Sequence, residues 1–362
     1  MAGQLPDFPW DLLAPYSDKA HAHPGGIVDL SVGTPVDATP EVVQAALRAA
    51  SDAPGYPTSA GTAQLRSAVA GWLDRRLGVA GVDPEAVIAT IGSKELVAWL
   101  PTLLGLGRGD RVVVPELAYP SYAVGATITG AEVVATDSLL TLGPAPTALV
   151  WLNSPSNPTG RVLPAQHLAK VVSWARERGA VVVSDECYIE LAWTAQPVSV
   201  LHPDVCGGSF EGLLAVHSLS KRSNMAGLRA GFVAGDPALV AELLAVRKHA
   251  GMMVPAPVQA AMVAALGDDE HVAIQRGRYA ARRARLLHAL TASGFEVTGS
   301  QAGLYLWASR GEDCWTSVGW LAERGVLVAP GSFYGAAGHE HVRVALTATD
   351  ERVGTACERL VA

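Results

Sequence analysis

TALVWLNSPSNPTGRVLPAQHLAKVVSWARERGAVVVSDECY (147–188) decides the architecture. An apolar run (TALVWL, 147–152) is followed by a polar, turn-like segment. PAQHLAKVVSWARERG (164–179) then places apolar residues at helical spacing, and a second apolar run (AVVVS, 180–184) follows. Strands that are apolar along their whole length, joined by an amphipathic helix, predict a parallel sheet covered on both faces. Runs of the same type recur at AVIATI (86–91), RVVVP (111–115), EVVAT (132–136), LLAVHS (213–218) and GFVAG (231–235). Helical patterns occur at PEVVQAALRAA (40–50), TAQLRSAVAGWLDRRLG (62–78) and KELVAWLPTLLG (94–105). The expected fold class is therefore α/β, with a large domain built on a mainly parallel, helix-covered sheet and a smaller α/β domain.

The domain limits follow changes in texture. Residues 1–36, rich in Pro, Gly and His, read as an irregular arm joining the small domain. Residues 37–255 hold the alternating strands and helices of the large domain, and 256–362 form the small one. The small domain opens with a long helical stretch (257–294), on which Arg278, Arg282 and Arg285 read as a solvated stripe.

The chain has 362 residues, 49% apolar and 17% charged, with 27 basic against 34 acidic side chains for a net charge of −7. This balance excludes a disordered chain and disfavours nucleic acid or an anionic membrane as partner. No run reaches the ~18 apolar residues of a membrane helix, and the first residues lack a secretory pattern. Four cysteines (Cys187, Cys206, Cys314, Cys357) show no zinc spacing, so a reduced, cytoplasmic protein without a metal is expected. Only five lysines are present: Lys19, Lys94, Lys170, Lys221 and Lys248.

Ligands of open α/β sheets bind at the carboxyl ends of the strands, and polar groups follow five of the expected strands: GSKE, ELAYPSY, NSPSNPTG, DECY and LSKRSNMAGLR. Lys221 lies in a polar segment rather than on a helix face, which makes it the leading candidate for a Schiff-base amine. Ser218, Ser220 and Arg229 surround it with the parts of a phosphate clamp. Ser93 and the backbone amides of 93–95 open a helix after a strand, a second anion site. Asp185 ends a fully apolar strand, where its charge needs a cationic partner such as a protonated ring nitrogen; capping the next helix is its alternative role. Tyr188 can reach the same ligand, while the Cys187 thiol is expected to point into packing. Asn157 lies in a segment of turn composition. Neither GxGxxG after the first strand nor GxxxxGK[ST] is present, which argues against dinucleotides and a P-loop.

Together these residues resemble the class I/II aminotransferases of fold type I, which use pyridoxal 5'-phosphate. The resemblance rests on Gly33 in SVGTP, YPTSAG (56–61), GSKE (92–95), AYPSY (118–122), NSPSNPTG (153–160), DECY (185–188), SLSKRSNMAGLRAG (218–231) and VRVAL (342–346), in the family's order. The N-terminal LPDFPWDLLAPY with HPGGIVDLSVGTPVD and APGYPTSAGT is similar to actinobacterial-type N-succinyldiaminopimelate aminotransferases. The resemblance implies a Schiff base at Lys221, with Asp185 on the pyridine nitrogen, Asn157 and Tyr188 on the ring oxygen, and Tyr119 against the ring face. Ser93, the Lys94 amide, Ser218, Ser220 and Arg229 would take the phosphate. Tyr56 would reach the phosphate of a second subunit, which implies a homodimer with shared sites. Arg343 and the Gly33 backbone would hold the substrate α-carboxylate. The implied reaction is transamination between an amino acid and a 2-oxo acid, with N-succinyl-LL-2,6-diaminopimelate and 2-oxoglutarate as the pair. A transaminase for another amino acid, or a C–S β-lyase on the same fold, is the alternative. A transcriptional regulator is disfavoured, because only a non-basic arm precedes the first expected helix. No second arginine declares itself for a distal carboxylate; the Lys94 side chain, Arg247, Lys248 and His249 are the candidate contacts.

Overall fold

The computed structural model describes Leu5 and residues 9–362; residues 1–4 and 6–8 of the expected arm lie outside the described residues. In chain order the elements begin with α1 (Ala14–His21), β1 (Val28–Asp29), α2 (Glu41–Ala49) and α3 (Ala63–Leu77). The alternating region then runs β2 (Val87–Ile91), α4 (Gly92–Leu103), β3 (Arg111–Val114), α5 (Ser121–Thr129), β4 (Glu132–Ala135), β5 (Leu149–Asn153), α6 (Ala165–Arg176) and β6 (Val181–Asp185). It closes with α7 (Pro203–Cys206), β7 (Leu213–Ser218), α8 (Leu219–Arg222), β8 (Ala230–Gly235) and α9 (Pro237–Ala250).

These strands form one sheet in the order β2-β8-β7-β6-β5-β3-β4. All neighbours are parallel except β8, which runs antiparallel to both β2 and β7. Alternate residues of a strand face opposite sides, and here both sides are apolar. In β7, Leu213 and Ala215 pack with α3 and α6 residues such as Val69, Trp72 and Val172. Leu214 and Val216 pack with α4, α5 and α9 residues such as Leu96, Ala126 and Leu243. That double burial is why the strands read as unbroken apolar runs.

Beyond the large sheet come α10 (Ala256–Gly267), α11 (Glu270–Ala292), β9 (Glu296–Thr298), β10 (Tyr305–Ser309), α12 (Cys314–Glu323), β11 (Val326–Leu327), β12 (Ala329–Pro330), β13 (His341–Ala345) and α13 (Asp350–Val361). A four-stranded antiparallel sheet, β12-β13-β10-β9, carries a second core with α11, α12 and α13, and β1 pairs in parallel with β11.

Four sequence expectations are corrected. The arm is not irregular throughout: a 3-10 turn (Pro9–Leu13) and α1 bury Leu13 and Ala20 in the second core, so packing overrides a composition poor for helices. The stretch 257–294 is two helices, broken after Gly267 where Asp268 Oδ1 accepts the Glu270 N–H at 2.8 Å. Val258, Ala261, Met262 and Ala265 of α10 lie in the large sheet's core, so α10 packs on the other side of the expected boundary at 255. Arg282 is not solvated: it is 2% exposed, and its fork donates to Asp37 at 2.6 and 2.8 Å and to Asp350 at 2.6 Å.

Candidate active site

The parallel strands β3, β5, β6 and β7, with β2 and the start of the antiparallel β8, deliver polar groups to one edge of the sheet. The small sheet and the β1 segment close over that edge. Between them lies a cleft of about 430 Å³. Its walls include Gly33, Ser93, Lys94, Tyr119, Asn157, Asp185, Tyr188, Ser218, Ser220, Lys221, Arg229 and Arg343. Twelve of the thirteen residues expected from the sequence therefore meet in one place. Tyr56 does not: it is 97% exposed, in the loop before α3.

Asp185 sits at the cleft floor at the end of β6. Burial raises its carboxyl, and three donations oppose that rise: the Cys187 thiol, the Tyr122 hydroxyl at 2.8 Å and the Cys187 N–H at 3.1 Å. Cys187 thus packs against the second core, as expected from the sequence, and also lines the cleft beside Asp185. Tyr122 is itself wholly buried, stacked on Trp151 at 4.9 Å. Beside the floor, the Asn153 amide donates to the Asp185 carbonyl at 3.0 Å, while its carbonyl oxygen accepts the Asn157 N–H at 2.7 Å. That pair of bonds shapes the turn that brings Asn157 inward.

Lys221 lies on α8, a single turn whose start is capped by Ser218 Oγ, acceptor of the Ser220 N–H at 3.1 Å. Its Nζ donates to the Gly33 carbonyl. Burial holds the amine below its usual range, and the nearby Arg343 and Arg229 guanidinium groups push in the same direction. Arg229 occupies the left-handed region, φ 56°, and folds over Gly92. Gly92 has φ +68°, and a Cβ there would lie 2.3 Å from Arg229 Nη2, so only glycine lets the guanidinium cover the first turn of α4. Ser93, the Lys94 amide and Arg229 thus share one helix N-terminus, an arrangement suited to a phosphate.

On the opposite wall, Arg343 of β13 is 2% exposed. It donates to Asn157 Oδ1 at 2.9 Å and to the Ser31 carbonyl at 2.6 Å, while its buried Nε–H has no protein acceptor. The ring centres of Tyr305 and Tyr334 lie 4.0 and 4.9 Å from its guanidinium carbon. A buried donor left open beside the cleft fits a carboxylate ligand. The lining counts four basic side chains (Lys94, Lys221, Arg229, Arg343) against one acidic (Asp185), a local excess of three positive charges in a chain of net −7. The cleft selects anions.

The distal-carboxylate candidates divide. Lys94 lines the cleft, its Nζ 5.8 Å from the Tyr119 ring centre. Arg247 is corrected: it is fully buried and committed to Glu95 at 2.8 Å and the Met252 carbonyl at 3.0 Å. Lys248 and His249 are exposed on α9, away from the cleft lining. The sequence did not single out Tyr305, Trp10, Val32 or Thr34, which also line the cleft. Trp10 packs on Phe333, ring centres 5.3 Å apart, at the side formed by the N-terminal segment. Among the described residues no helix is long and apolar enough to cross a membrane.

Residues 26–360 match the family model described as aminotransferase class I and II. The chain is 66% identical over 360 residues to a probable aminotransferase of Mycobacterium tuberculosis, covering 99% of this chain and 86% of that protein. It is 61% identical over 357 residues to a 4-dedimethylamino-4-oxo-anhydrotetracycline transaminase of Streptomyces rimosus, covering 99% of each. Among solved structures, a probable N-succinyldiaminopimelate aminotransferase of Thermus thermophilus superposes with a TM-score of 0.87 at 29% identity, over 98% of this chain and 99% of that one.

Proposed function

The chain belongs to the class I and II aminotransferases, a pyridoxal-phosphate-dependent family, and from that premise we propose that its cleft exchanges an amino group between N-succinyl-LL-2,6-diaminopimelate and 2-oxoglutarate. The residues present suit the cofactor. A buried carboxylate at the floor, a buried amine without a carboxylate partner and a glycine-opened helix N-terminus under Arg229 match a ring nitrogen, an aldehyde and a phosphate.

When bound, pyridoxal phosphate supplies an electron sink for the carbanion that forms at the substrate Cα. Asp185, whose carboxylate accepts from the Tyr122 hydroxyl and the Cys187 N–H, would pair with the ring nitrogen and favour its protonated form. Asn157 and Tyr188 would hydrogen-bond the ring oxygen, and Tyr119 would cover the ring face. Ser93, the Lys94 amide, Ser218, Ser220 and Arg229 would anchor the phosphate. Arg343, with Gly33 beside it, takes the substrate α-carboxylate and so aims the Cα–H at Lys221. Burial lowers the Lys221 amine toward neutrality, which favours its taking the Cα proton and returning it one atom away. The single observation that carries this reading is the meeting of Lys221, Asp185 and Arg343 in one cleft.

The substrate assignment is supported by the likeness to the probable N-succinyldiaminopimelate aminotransferase of Thermus thermophilus and by Lys94 on the cleft wall, a cation available to a distal carboxylate. A second reading, transfer to or from a larger amino compound, is favoured by the 61% identity to the tetracycline-intermediate transaminase. The test is glutamate formation from 2-oxoglutarate with N-succinyl-LL-diaminopimelate as donor. Turnover with that donor at least tenfold above other amino acids supports the assignment; preference for another donor, or pyruvate release from cystathionine, overturns it.

We further read the enzyme as a cytoplasmic homodimer with a large domain, a small domain and shared sites. The four unpaired cysteines suit a reducing compartment. Tyr56, outside its own cleft and almost fully exposed, suits a residue that serves a second copy.

A further inference from the structure

Tyr305 is the side chain on which four of the proposed functional groups converge. It stands on β10, 3% exposed, and its hydroxyl lies 3.2 Å from that of Tyr188. The Arg343 guanidinium carbon sits 4.0 Å from its ring centre. A Cβ at Gly33 would lie 2.2 Å from Tyr305 Oη, so Gly33 is the residue that admits this hydroxyl. The Gly33 carbonyl in turn accepts from Lys221 Nζ.

We propose that Tyr305 is a positioning residue that couples the Arg343 carboxylate clamp to the Tyr188 hydroxyl and the Lys221 amine; the inference rests on the aminotransferase reading. The two parts of the side chain act separately. The ring packs against the guanidinium, with the Tyr334 ring centre also 4.9 Å from it, so the fork is held between aromatic contacts and its N–H groups are left for hydrogen bonds. Two edge positions go to Asn157 and the Ser31 carbonyl, and the buried Nε–H stays open toward a ligand. The hydroxyl instead fixes Tyr188. Both phenols are buried, where a hydrogen bond is strengthened by the low local dielectric and a misplaced one is costly. Tyr188 also packs edge-on to the Tyr305 ring, centres 5.8 Å apart, so moving either ring moves the other. Occupation of the clamp by a carboxylate is therefore felt at the hydroxyl proposed for the cofactor's ring oxygen.

The substitutions Tyr305→Phe and Tyr305→Leu separate the two parts. Tyr305→Phe keeps the ring and loses the hydroxyl. In the holoenzyme, the pH midpoint of the lysine-bound cofactor's absorbance should move by about 0.4 unit or more. kcat should fall by roughly three- to tenfold, with KM for the amino substrate nearly unchanged. Tyr305→Leu should raise KM, and the dissociation constant of a carboxylate analogue read from the cofactor spectrum, by roughly three- to thirtyfold. An unshifted midpoint in Tyr305→Phe together with an unchanged analogue affinity in Tyr305→Leu overturns the proposal. Should Tyr305→Phe not accumulate folded, Tyr188→Phe removes the other end of the same hydrogen bond, and an unshifted midpoint there counts equally against it. If the parent protein itself takes up no pyridoxal phosphate, the aminotransferase reading fails instead, so the two failures are distinguishable.

Discussion

Arg247 Nη1 donates a 2.8 Å hydrogen bond to Glu95 Oε1, tying the middle of the α9–α10 region to the first turn of α4. Glu95 Oε2 accepts the Ile91 N–H at 3.2 Å, so the same carboxylate steadies the strand end from which Gly92 and Ser93 depart. Arg247 is fully buried and Glu95 mostly so. Removing one partner strands the other charge, which costs about 3–5 kcal/mol.

Arg247→Leu is accordingly expected to lower the unfolding free energy by that amount in urea titrations of the holoenzyme. It should also weaken pyridoxal-phosphate retention, because Ser93 and the Lys94 amide lose their support. A loss below about 1 kcal/mol with unchanged retention would show that the pair does not hold the helix start.

A buried pair of opposite acid–base habit lies directly behind the floor. Glu186 Oε2 and His217 Nε2 are 3.4 Å apart, on the residues next to Asp185 and Ser218. Burial pushes the Glu186 carboxyl up to about 7 and the His217 imidazole down to about 3. Between the ordinary value of 4.5 and about 7, the native state holds a Glu186 proton that the unfolded chain has lost, so this group's contribution declines as pH rises through that window. His217 works the other way: below 6.5 the unfolded chain takes a proton that the native state refuses, so stability is lost on acidification toward about 3. The two slopes oppose each other where they overlap. In urea titrations at pH 5, 6, 7 and 8, the stability of the parent relative to Glu186→Gln should fall as pH rises to about 7 and then level. A difference that stays constant across that range would mean Glu186 is ionised throughout.

Tyr56 and Lys221 offer a test of shared sites. If Tyr56 reaches the phosphate of a second copy, Tyr56→Ala removes a hydrogen bond worth about 1.5–3 kcal/mol, with its defect sharpest at limiting cofactor, and Lys221→Ala removes the amine. If sites are shared across a two-fold axis, a heterodimer of the two variants carries both lesions in one site and none in the other. Co-expressed, tagged heterodimers should then recover up to about half of the parent activity. Heterodimers as inactive as their parents would mean that each site is complete within one chain.

Much of this site is written locally. Lys221, Asn157 and Ser93 follow an apolar strand, Asp185 ends one and Arg229 directly precedes one, so strand ends alone place them on one edge. Tyr305 carries no such mark, because it opens a strand that is apolar almost throughout, and its hydroxyl finds Gly33 only where β10 meets the segment after β1. Trp10 reaches the cleft through packing of the N-terminal turn on Phe333, a contact separated by more than the length of the large domain in sequence. Arg247 failed for the converse reason: on a helix rich in small apolar residues a terminal arginine reads as surface, and only the partner Glu95, far away in the chain, explains its burial. The split of α10 from α11 was available in Gly267-Asp268-Asp269, whereas the packing of α10 on the large sheet's core was not, since its apolar residues encircle the helix.

The central claim is that Lys221 is the amine that joins the cofactor. Borohydride reduction of the pyridoxal-phosphate-loaded protein, followed by digestion and mass mapping, measures it directly. Loss of the visible absorbance is expected, together with a single pyridoxyl-modified peptide carrying the label on Lys221. Label on Lys94 or Lys248, or a protein that binds the cofactor yet takes no label at Lys221, would contradict it.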